Sequence, residues 1–405
     1  MTEAELERIR TWLIDAGIAG LGETDLLHGF CRRCNEAGLP LSRAVALLDT
    51  LHPIYEGRAF RWHANSAEDS TPIDYGRTNQ GGEAESNWQR SAFFELLATG
   101  AAEFRSRIGM GGRTDLSQLE QLKEEGHSDY LAMVHRFAEQ GVIGEMDCAY
   151  SHWVTAHPEG FADEALDALR RLVPPLVLAM KAAALARMAG TLVEVYLGAD
   201  AGQRVLGGRI LRGVADRIGA VLWFSDLRGY TTITDTAPPE EIIPLLNDYA
   251  EAVISAIHAA GGDVLKLIGD GTLAIFKADD PAQACRAVLA AEADLRRRIG
   301  ELNVRRAAQG RPVTTVYLGL HIGEVFYGNI GSEERLDFTV VGPAVNEVAR
   351  IASMCRSVDR HVLISSDFAD ATPDELRGRL VSVGRFALRG VGRAQDLFTV
   401  DPTLL

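Results

Sequence analysis

The chain has 405 residues, of which 47% are hydrophobic and 24% are charged, and a formal net charge of −15. This composition is ordinary for a soluble globular protein of two or three domains, and an acidic balance without basic clusters argues against nucleic-acid binding. The amino terminus, MTEAELERIR, is too charged for a signal peptide, so five cysteines favour reduced thiols in the cytoplasm. The most apolar run, residues 172–190, contains Lys181 and Arg187 and predicts a buried helix in place of a membrane span.

Residues 1–182 are expected to fold as an α/β unit. Apolar residues at helical spacing predict helices over residues 1–60, and the polar, glycine-rich residues 64–90 predict a long loop. The other elements expected in this unit are helices at 91–107 and 115–125, a β-rich region at 128–156 and a long helix at 161–185.

Cysteines, histidines and aromatic residues of this unit are candidate ligand-binding residues without a recognisable motif. Cys31 and Cys34 form a CxxC pair, but no second pair or suitably spaced histidine accompanies it, so buried thiols are a better interpretation than a metal or redox site. Core or surface positions are likewise favoured over ligand roles for the histidines and aromatic residues, namely His52, His63, His127, His135, His152, His157, Trp62, Trp88, Tyr150 and Trp153.

Residues 183–215 are expected to be a helical connector, in which a helix runs to about residue 197 before the glycine-rich residues 198–213. A regular alternation of strands and helices begins at residue 216. The elements expected there are a strand at 220–225, a helix after Pro238-Pro239, a hairpin at 261–276 with its turn at Asp270-Gly271, a helix at 281–300 and a strand at 313–322. This βαββαβ order predicts a ferredoxin-like domain, and the whole chain is expected to be α+β.

Two carboxylates are expected at one end of the carboxy-terminal sheet. Asp226 ends an apolar strand and Asp270 lies at the tip of the hairpin, so neighbouring strands would bring them together. Two carboxylates beside substrate phosphates suit Mg²⁺. The N–H groups of Gly229, Tyr230 and Thr231 are candidates for binding a polyphosphate. The alternative is that Asp226 caps a helix and Asp270 serves only the turn.

Four segments in this order, FSDLRGYT, GGDVLKLIGDGTLAIF, DFTVVGPAVNEVAR and LRGVGRAQDLFTV, resemble the catalytic domain of class III nucleotidyl cyclases. The resemblance covers about residues 216–402 and defines a catalytic domain over 216–405. It implies that Asp226 and Asp270, with the Leu227 carbonyl as a further ligand, bind two Mg²⁺ or Mn²⁺ ions per site.

The resemblance also assigns roles in substrate binding and catalysis. It implies that Lys266 and Thr339 read the purine, that Asn346 and Arg350 orient the ribose and stabilise the transition state, and that Arg389 binds the terminal phosphates. Many class III cyclases have Asp at the Thr339 position, and this chain resembles the subgroup with Thr, which often responds to bicarbonate. Asp337, two residues earlier on the same strand face, is an alternative hydrogen-bond acceptor for the base.

The resemblance implies an adenylate cyclase that converts ATP to 3′,5′-cyclic AMP and pyrophosphate. Lys266 favours ATP because a guanine-specific site would require a carboxylate there. A head-to-tail homodimer with two equivalent interfacial sites is also implied. The weaker alternatives are a guanylate cyclase, a non-catalytic nucleotide-binding module and a diguanylate cyclase, whose motif is only superficially matched by GGD at 261–263.

The segment HPEGFADEALDALRRLVPPLVLAMKAA resembles the closing part of a GAF-type sensor domain. This resemblance implies that residues 1–182 are a GAF-like regulatory domain for a small molecule whose identity the sequence does not give. Bicarbonate is a candidate effector of the catalytic domain.

Overall fold

The computed structural model describes residues 1–65, 71–78, 82–137, 144, 146–389, 391 and 394–401. The chain divides into two compact units, Met1–Leu192 and Val193–Leu405. Each unit combines one sheet with several helices, so the expected mixed α/β character of the chain is confirmed.

The amino-terminal unit contains a six-stranded antiparallel sheet with the order β3-β2-β1-β6-β5-β4. The strands are β1 (Arg43–Asp49), β2 (Gly57–His63), β3 (Ile73–Tyr75), β4 (Glu103–Ser106), β5 (Asp129–Arg136) and β6 (Cys148–Thr155). The helices are α1 (Glu3–Ile18), α2 (Glu23–Glu36), α3 (Gly82–Gln89), α4 (Ala92–Thr99), α5 (Leu119–Glu124) and α6 (Asp163–Leu197).

The central strands β1, β5 and β6 of this sheet are buried on both faces. Side chains alternate along β6, so Trp153 packs with α1, α2 and α6 whereas Tyr150 and Val154 pack with α4 and α5 on the other face. The sheet therefore separates two apolar cores.

Three sequence predictions for this unit need correction. The sequence predicts helices over residues 1–60, but α2 ends at Glu36, and β1 and the start of β2 lie in the remainder. β1 is buried on both faces, so its apolar run lacks the alternation that identifies a strand. The described part of the predicted loop at 64–90 contains β3 and α3. The predicted helix at 91–107 ends at Thr99, where Gly100 (φ 72°) allows the left-handed turn into β4.

Helix α6 runs to Leu197, as predicted. By length and composition it is apolar enough to cross a membrane, a test that core helices of globular proteins also pass. Its two central basic residues have partners within the amino-terminal unit: Lys181 lies 3.8 Å from the centre of the Phe137 ring, and Arg187 donates to Glu23 over 3.0 Å. These contacts suit a core helix, and the absence of a membrane span stays a prediction.

The carboxy-terminal unit has an eight-stranded sheet of order β13-β14-β12-β10-β7-β9-β8, with β11 paired to β10. Its strands are β7 (Ala215–Leu227), β8 (Asp263–Ile268), β9 (Gly271–Lys277), β10 (Val316–Gly331), β11 (Leu336–Val341), β12 (Val362–Ser365), β13 (Leu380–Phe386) and β14 (Gln395–Val400). Its helices are α7 (Ala199–Leu206), α8 (Tyr230–Thr236), α9 (Pro239–Ala259), α10 (Pro281–Ala308), α11 (Pro343–Val358), α12 (Ser366–Ala371) and α13 (Asp374–Arg377).

The central part of this unit has the predicted ferredoxin-like βαββαβ arrangement. Helix α9 connects β7 to the β8–β9 hairpin, and α10 connects the hairpin to β10. Val221 and Trp223 of β7 pack against α9 and α10, whereas Ala220 and Leu222 face α11. Helices therefore cover both faces of β7, and a functional site can form only at an end of this strand.

The hairpin turn differs by one residue from the sequence prediction. Ile268 pairs with Gly271, so Gly269 and Asp270 form the two-residue turn, in place of Asp270-Gly271. Gly269 has φ 62°, a conformation that glycine adopts without a Cβ clash. The shift keeps Asp270 at the tip.

Candidate active site

Asp226 and Asp270 meet at one backbone N–H group. The Leu227 N–H donates to Asp226 Oδ1 over 3.1 Å and to Asp270 Oδ2 over 3.3 Å. Asp226 is the penultimate residue of β7, and Asp270 lies in the turn before β9, which pairs with β7 through Ser225 and Thr272. The two predicted metal-binding carboxylates thus lie side by side, as expected from neighbouring strands.

The environment of this pair suits a divalent cation. Loss of hydration, followed by the hydrogen bond and charge of Asp270, raises the pKa of Asp226 to about 7. Two carboxylates at this separation disfavour double ionisation unless a positive charge lies between them. A donor set made only of oxygens, including the nearby Leu227 carbonyl, fits Mg²⁺ or Mn²⁺.

A small cavity of about 200 Å³ lies beside the aspartate pair and is bounded by α9. Ile243, Leu246, Asn247 and Ala250 line it at the spacing of one helical face. Sequence reasoning did not identify these residues as part of the site. Their i, i+3, i+4, i+7 pattern was the available signal, but it equally predicts an ordinary core-facing stripe.

The predicted phosphate-binding residues begin α8. Gly229 precedes the helix with φ 69°, Tyr230 is half-buried and Thr231 is exposed. No side chain caps this helix start. The helix has only seven residues, so its contribution to anion binding is modest, and the phosphate role of these residues stays a prediction.

Lys266 forms an ion pair with Asp337 of the same chain. Phe338 and Val340 of β11 are buried, so the alternating residues Asp337 and Thr339 lie on the opposite face of that strand. The structure therefore brings Lys266 to the strand face that carries both candidate base-reading residues.

Asn346 and Arg350 lie one turn apart on α11, which begins at Pro343 after Gly342 (φ 146°). Asn346 is exposed. Arg350 is half-buried, and its Nη1 is buried without a hydrogen-bond partner among the described residues. An unpaired guanidinium nitrogen in such a position is an available donor for an anionic group.

The remaining predicted residue, Arg389, follows β13 and is exposed. Within the described residues, no hydrogen bond or ion pair links the aspartate pair to the Lys266–Asp337 pair or to Arg350. One chain therefore presents the predicted residues as separate groups.

Five of the twelve candidate residues of the amino-terminal unit are buried, six are half-buried and His157 is exposed; the buried ones are Cys31, Cys34, Tyr150, His152 and Trp153. Cys31 and Cys34 are fully enclosed, and burial raises the pKa of both thiols, so neither is a ready nucleophile or metal ligand. His152 is 3% exposed and lies between Tyr130 and Phe93. These environments support core packing over ligand binding.

Comparison with known proteins identifies the carboxy-terminal unit. Residues 215–399 match the family model described as the adenylate and guanylate cyclase catalytic domain. An adenylate cyclase of Anabaena cylindrica is 33% identical over 153 residues, which cover 38% of this chain and 30% of that protein. Adenylate cyclase 1 of Rhizobium meliloti is 28% identical over 182 residues, which cover 44% of this chain and 26% of that protein.

Solved cyclase structures are also similar to part of the chain. The adenylyl cyclase CyaB from P. aeruginosa has 23% identity and a TM-score of 0.42, and the match covers 46% of this chain and 95% of that one. The guanylyl cyclase Cya2 has 31% identity and a TM-score of 0.41, with coverage of 46% and 93%. The chain spans about a third or less of the length of the curated relatives described above. On the strength of the family match, the carboxy-terminal unit carries a class III adenylate or guanylate cyclase catalytic domain.

Proposed function

We propose that this catalytic domain converts ATP to 3′,5′-cyclic AMP and pyrophosphate. The observation that carries the proposal is the pairing of Asp226 and Asp270 around the Leu227 N–H, because two adjacent carboxylates in a cyclase domain suit the divalent metal that the proposed reaction needs. The reaction is an in-line attack of the ribose 3′-oxygen on the α-phosphorus.

The aspartate pair and the Leu227 carbonyl would hold two Mg²⁺ or Mn²⁺ ions. Bound there, such ions lower the pKa of the attacking hydroxyl and neutralise charge on the leaving group. Loss of hydration, followed by the hydrogen bond and charge of Asp270, raises the pKa of Asp226, and a dication between the carboxylates would favour their ionised forms.

Residues of α11 and the phosphate-binding loop would orient the substrate. Asn346 positions the ribose, and Arg350 directs its unpaired Nη1 towards the phosphoryl oxygens, where negative charge grows in the transition state. Arg389 binds the terminal phosphates together with the N–H groups of residues 229–231.

Lys266 would donate to a ring nitrogen of adenine, and Thr339 would accept from the adenine amino group. A guanylate cyclase is the second candidate, and the ion pair between Lys266 and Asp337 favours it, since a carboxylate can accept from guanine N1–H and its amino group. Adenylate cyclase is preferred because the ammonium group of Lys266 can only donate hydrogen bonds and cannot accept one from guanine N1–H.

We propose that the active enzyme is a two-fold homodimer with Asp226 and Asp270 from one chain facing Lys266, Thr339, Asn346 and Arg350 of the other. Two features support this arrangement. Among the residues that the structure describes, no hydrogen bond or ion pair joins the residue groups within one chain. The cavity of about 200 Å³ beside the aspartates is also smaller than the roughly 300–1,000 Å³ of typical ligand pockets. A second chain would complete the pocket.

Product analysis tests this function directly. Purified protein is incubated with ATP or GTP in the presence of Mg²⁺ or Mn²⁺, and the products are separated and identified. More cyclic AMP formed from ATP than cyclic GMP formed from GTP supports the proposal. Formation of cyclic GMP from GTP with little cyclic AMP would favour the second candidate, and no cyclic nucleotide from either substrate would overturn both.

We further propose that residues 1–182 are a GAF-like sensor for a small molecule, that residues 183–215 transmit its state, and that the protein acts in the cytoplasm. The supporting observation is the antiparallel sheet with helices packed on both faces. Activity of the full chain and of a variant lacking residues 1–180 is compared with and without candidate effectors, including bicarbonate. Equal activity and dimerisation under every condition would contradict the regulatory role.

A further inference from the structure

Both backbone groups of Arg228, which directly follows β7, are bound by the two residues that precede β10. The Arg228 N–H donates to the Thr315 carbonyl over 2.8 Å, and the Thr314 hydroxyl donates to the Arg228 carbonyl over 2.5 Å. The Thr315 carbonyl is also within reach of this hydroxyl, but at 3.4 Å. A hydroxyl has one proton to donate, so the much shorter bond to Arg228 is the stronger one.

These two bonds fix the peptide planes on either side of Arg228. In a trans peptide, the C=O and the following N–H point in opposite directions. Because the Arg228 N–H points towards β10, the Leu227 carbonyl points to the other side of β7, where the Leu227 N–H meets Asp270. In the same way, the bond from Thr314 to the Arg228 carbonyl sets the direction of the Gly229 N–H. A proposed metal ligand and a proposed phosphate donor thus depend on these two bonds.

A ring of hydrogen bonds holds Thr314 in place. The Thr314 N–H donates to the Tyr249 hydroxyl over 2.7 Å, the Tyr249 hydroxyl donates to Asn303 Oδ1, and Asn303 Nδ2 donates to the Thr314 carbonyl over 2.7 Å. Tyr249 of α9 is 1% exposed and Thr314 is 9% exposed. Side chains of α9 and α10 therefore set the position of the Thr314 hydroxyl, and Tyr249 also lines the cavity beside the aspartate pair.

We propose that Thr314 is a positioning residue for the metal-binding and phosphate-binding backbone groups of residues 227–229. It acts through the Arg228 carbonyl and is not itself a ligand. The inference rests on the proposed function, because metal binding at the Leu227 carbonyl belongs to that function. The role requires the hydroxyl group. Thr314→Val removes the hydroxyl and keeps the shape of the side chain, whereas Thr314→Ser keeps the hydroxyl and removes the methyl group.

Manganese binding tests this role without the need for catalysis. Mn²⁺ is titrated into the full chain, and the free ion is measured by electron paramagnetic resonance. Thr314→Val should weaken Mn²⁺ binding about tenfold, because a group that orients a metal ligand is lost. Thr314→Ser should bind Mn²⁺ as the wild type does. Tyr249→Phe, which opens the hydrogen-bond ring, should weaken binding in the same direction as Thr314→Val.

An activity assay with ATP gives a second readout. In Thr314→Val, the Mn²⁺ concentration for half-maximal activity should rise about tenfold, whereas kcat at saturating Mn²⁺ should stay within about twofold of the wild type. A role in folding alone would not change the metal requirement of the folded enzyme. Circular dichroism and the thermal midpoint of each variant establish that it is folded.

Thr399→Val is the matched control. Thr399 of β14 is 6% exposed, and its hydroxyl donates to the Val362 carbonyl over 2.8 Å, on the far side of β10 from β7. This variant should bind Mn²⁺ as the wild type does.

Three results would overturn the positioning role while leaving the metal site in place. They are wild-type Mn²⁺ binding by Thr314→Val, equal weakening in Thr314→Val and Thr314→Ser, and equal weakening in Thr314→Val and Thr399→Val. If the wild type itself does not bind Mn²⁺, the metal site of the proposed function is refuted, and the positioning role with it.

Discussion

Lys266 and Asp337 form an ion pair within one chain although 71 residues separate them in the sequence. Both side chains are more than 40% exposed, so the pair adds little to stability, and its consequence is the orientation of the ammonium group. We expect Asp337→Asn to lower kcat/KM for ATP about tenfold, mainly through KM, because Lys266 loses the charged partner that positions it. Steady-state kinetics checks this, with the exposed Glu334→Gln as control. An unchanged kcat/KM would show that Asp337 does not position Lys266.

Thr339 lies on the same face of β11 as Asp337 and is expected to contribute less to base reading. A hydroxyl is a weaker acceptor than a carboxylate, and a neutral hydrogen bond contributes about 0.5–1.5 kcal/mol. Thr339→Ala should therefore reduce the ratio of kcat/KM for ATP to that for GTP about fivefold. Thr339→Ser, which keeps the hydroxyl, should retain the ratio. The role in base reading is refuted by a ratio that stays the same in both variants.

The sequence predicted the aspartate pair better than the surroundings of the base-reading residues. Asp226 and Asp270 follow from two adjacent strands and a short hairpin, which are local patterns. The approach of β8 to β11, which joins Lys266 to Asp337, is a long-range contact that no local periodicity encodes. β1 was mistaken for a helix for a related reason: burial of both faces depends on tertiary packing, and it erased the alternation expected of a strand.

If each active site is built from residues of two chains, two inactive variants should complement each other. Asp226→Ala removes a metal ligand and Arg350→Ala removes the transition-state donor, so each homodimer should lose at least about 99% of its activity. In a mixed dimer, one of the two sites contains both intact groups. Mixing the variants in equal amounts should restore up to about a quarter of wild-type activity if the chains exchange at random. No recovery, when heterodimers are demonstrated by differently tagged chains, would contradict a site built from two chains.

The amino-terminal unit depends on a buried ion pair. Asp129 is fully buried, Arg105 Nη2 donates to its Oδ2 over 2.6 Å, and the Phe161 N–H donates to the same oxygen over 3.0 Å. Asp129→Ala removes the carboxylate partner of Arg105, which keeps only the Phe161 carbonyl among the described acceptors, and leaves the Phe161 N–H unpaired, so it should lower the free energy of unfolding by about 3 kcal/mol. Urea denaturation measures this change. Asp115→Ala removes an exposed pair with Arg113 and should have no measurable effect. A wild-type midpoint for Asp129→Ala would refute the importance of the buried pair.

His152 should make the amino-terminal unit less stable in mild acid. Burial lowers its pKa to about 3, and its Nε2 is buried without a hydrogen-bond partner among the described residues. The unfolded histidine has a pKa near 6.5, so between pH 6.5 and 3 the unfolded state binds the proton and the folded state does not. Stability therefore falls as the pH falls, by about 1.4 kcal/mol between pH 7.5 and 5.5 from this residue.

Hydrogen exchange of peptides from β5 and β6 measures this loss at the two pH values. His152→Leu removes the titrating group and keeps an apolar side chain between Tyr130 and Phe93. Between the two pH values, the free energy of opening should therefore change by about 1.4 kcal/mol less in the variant than in the wild type. Burial also lowers the pKa of His135, which will leave a residual slope in the variant. Identical pH dependence in the wild type and the variant would mean that His152 takes up its proton without unfolding.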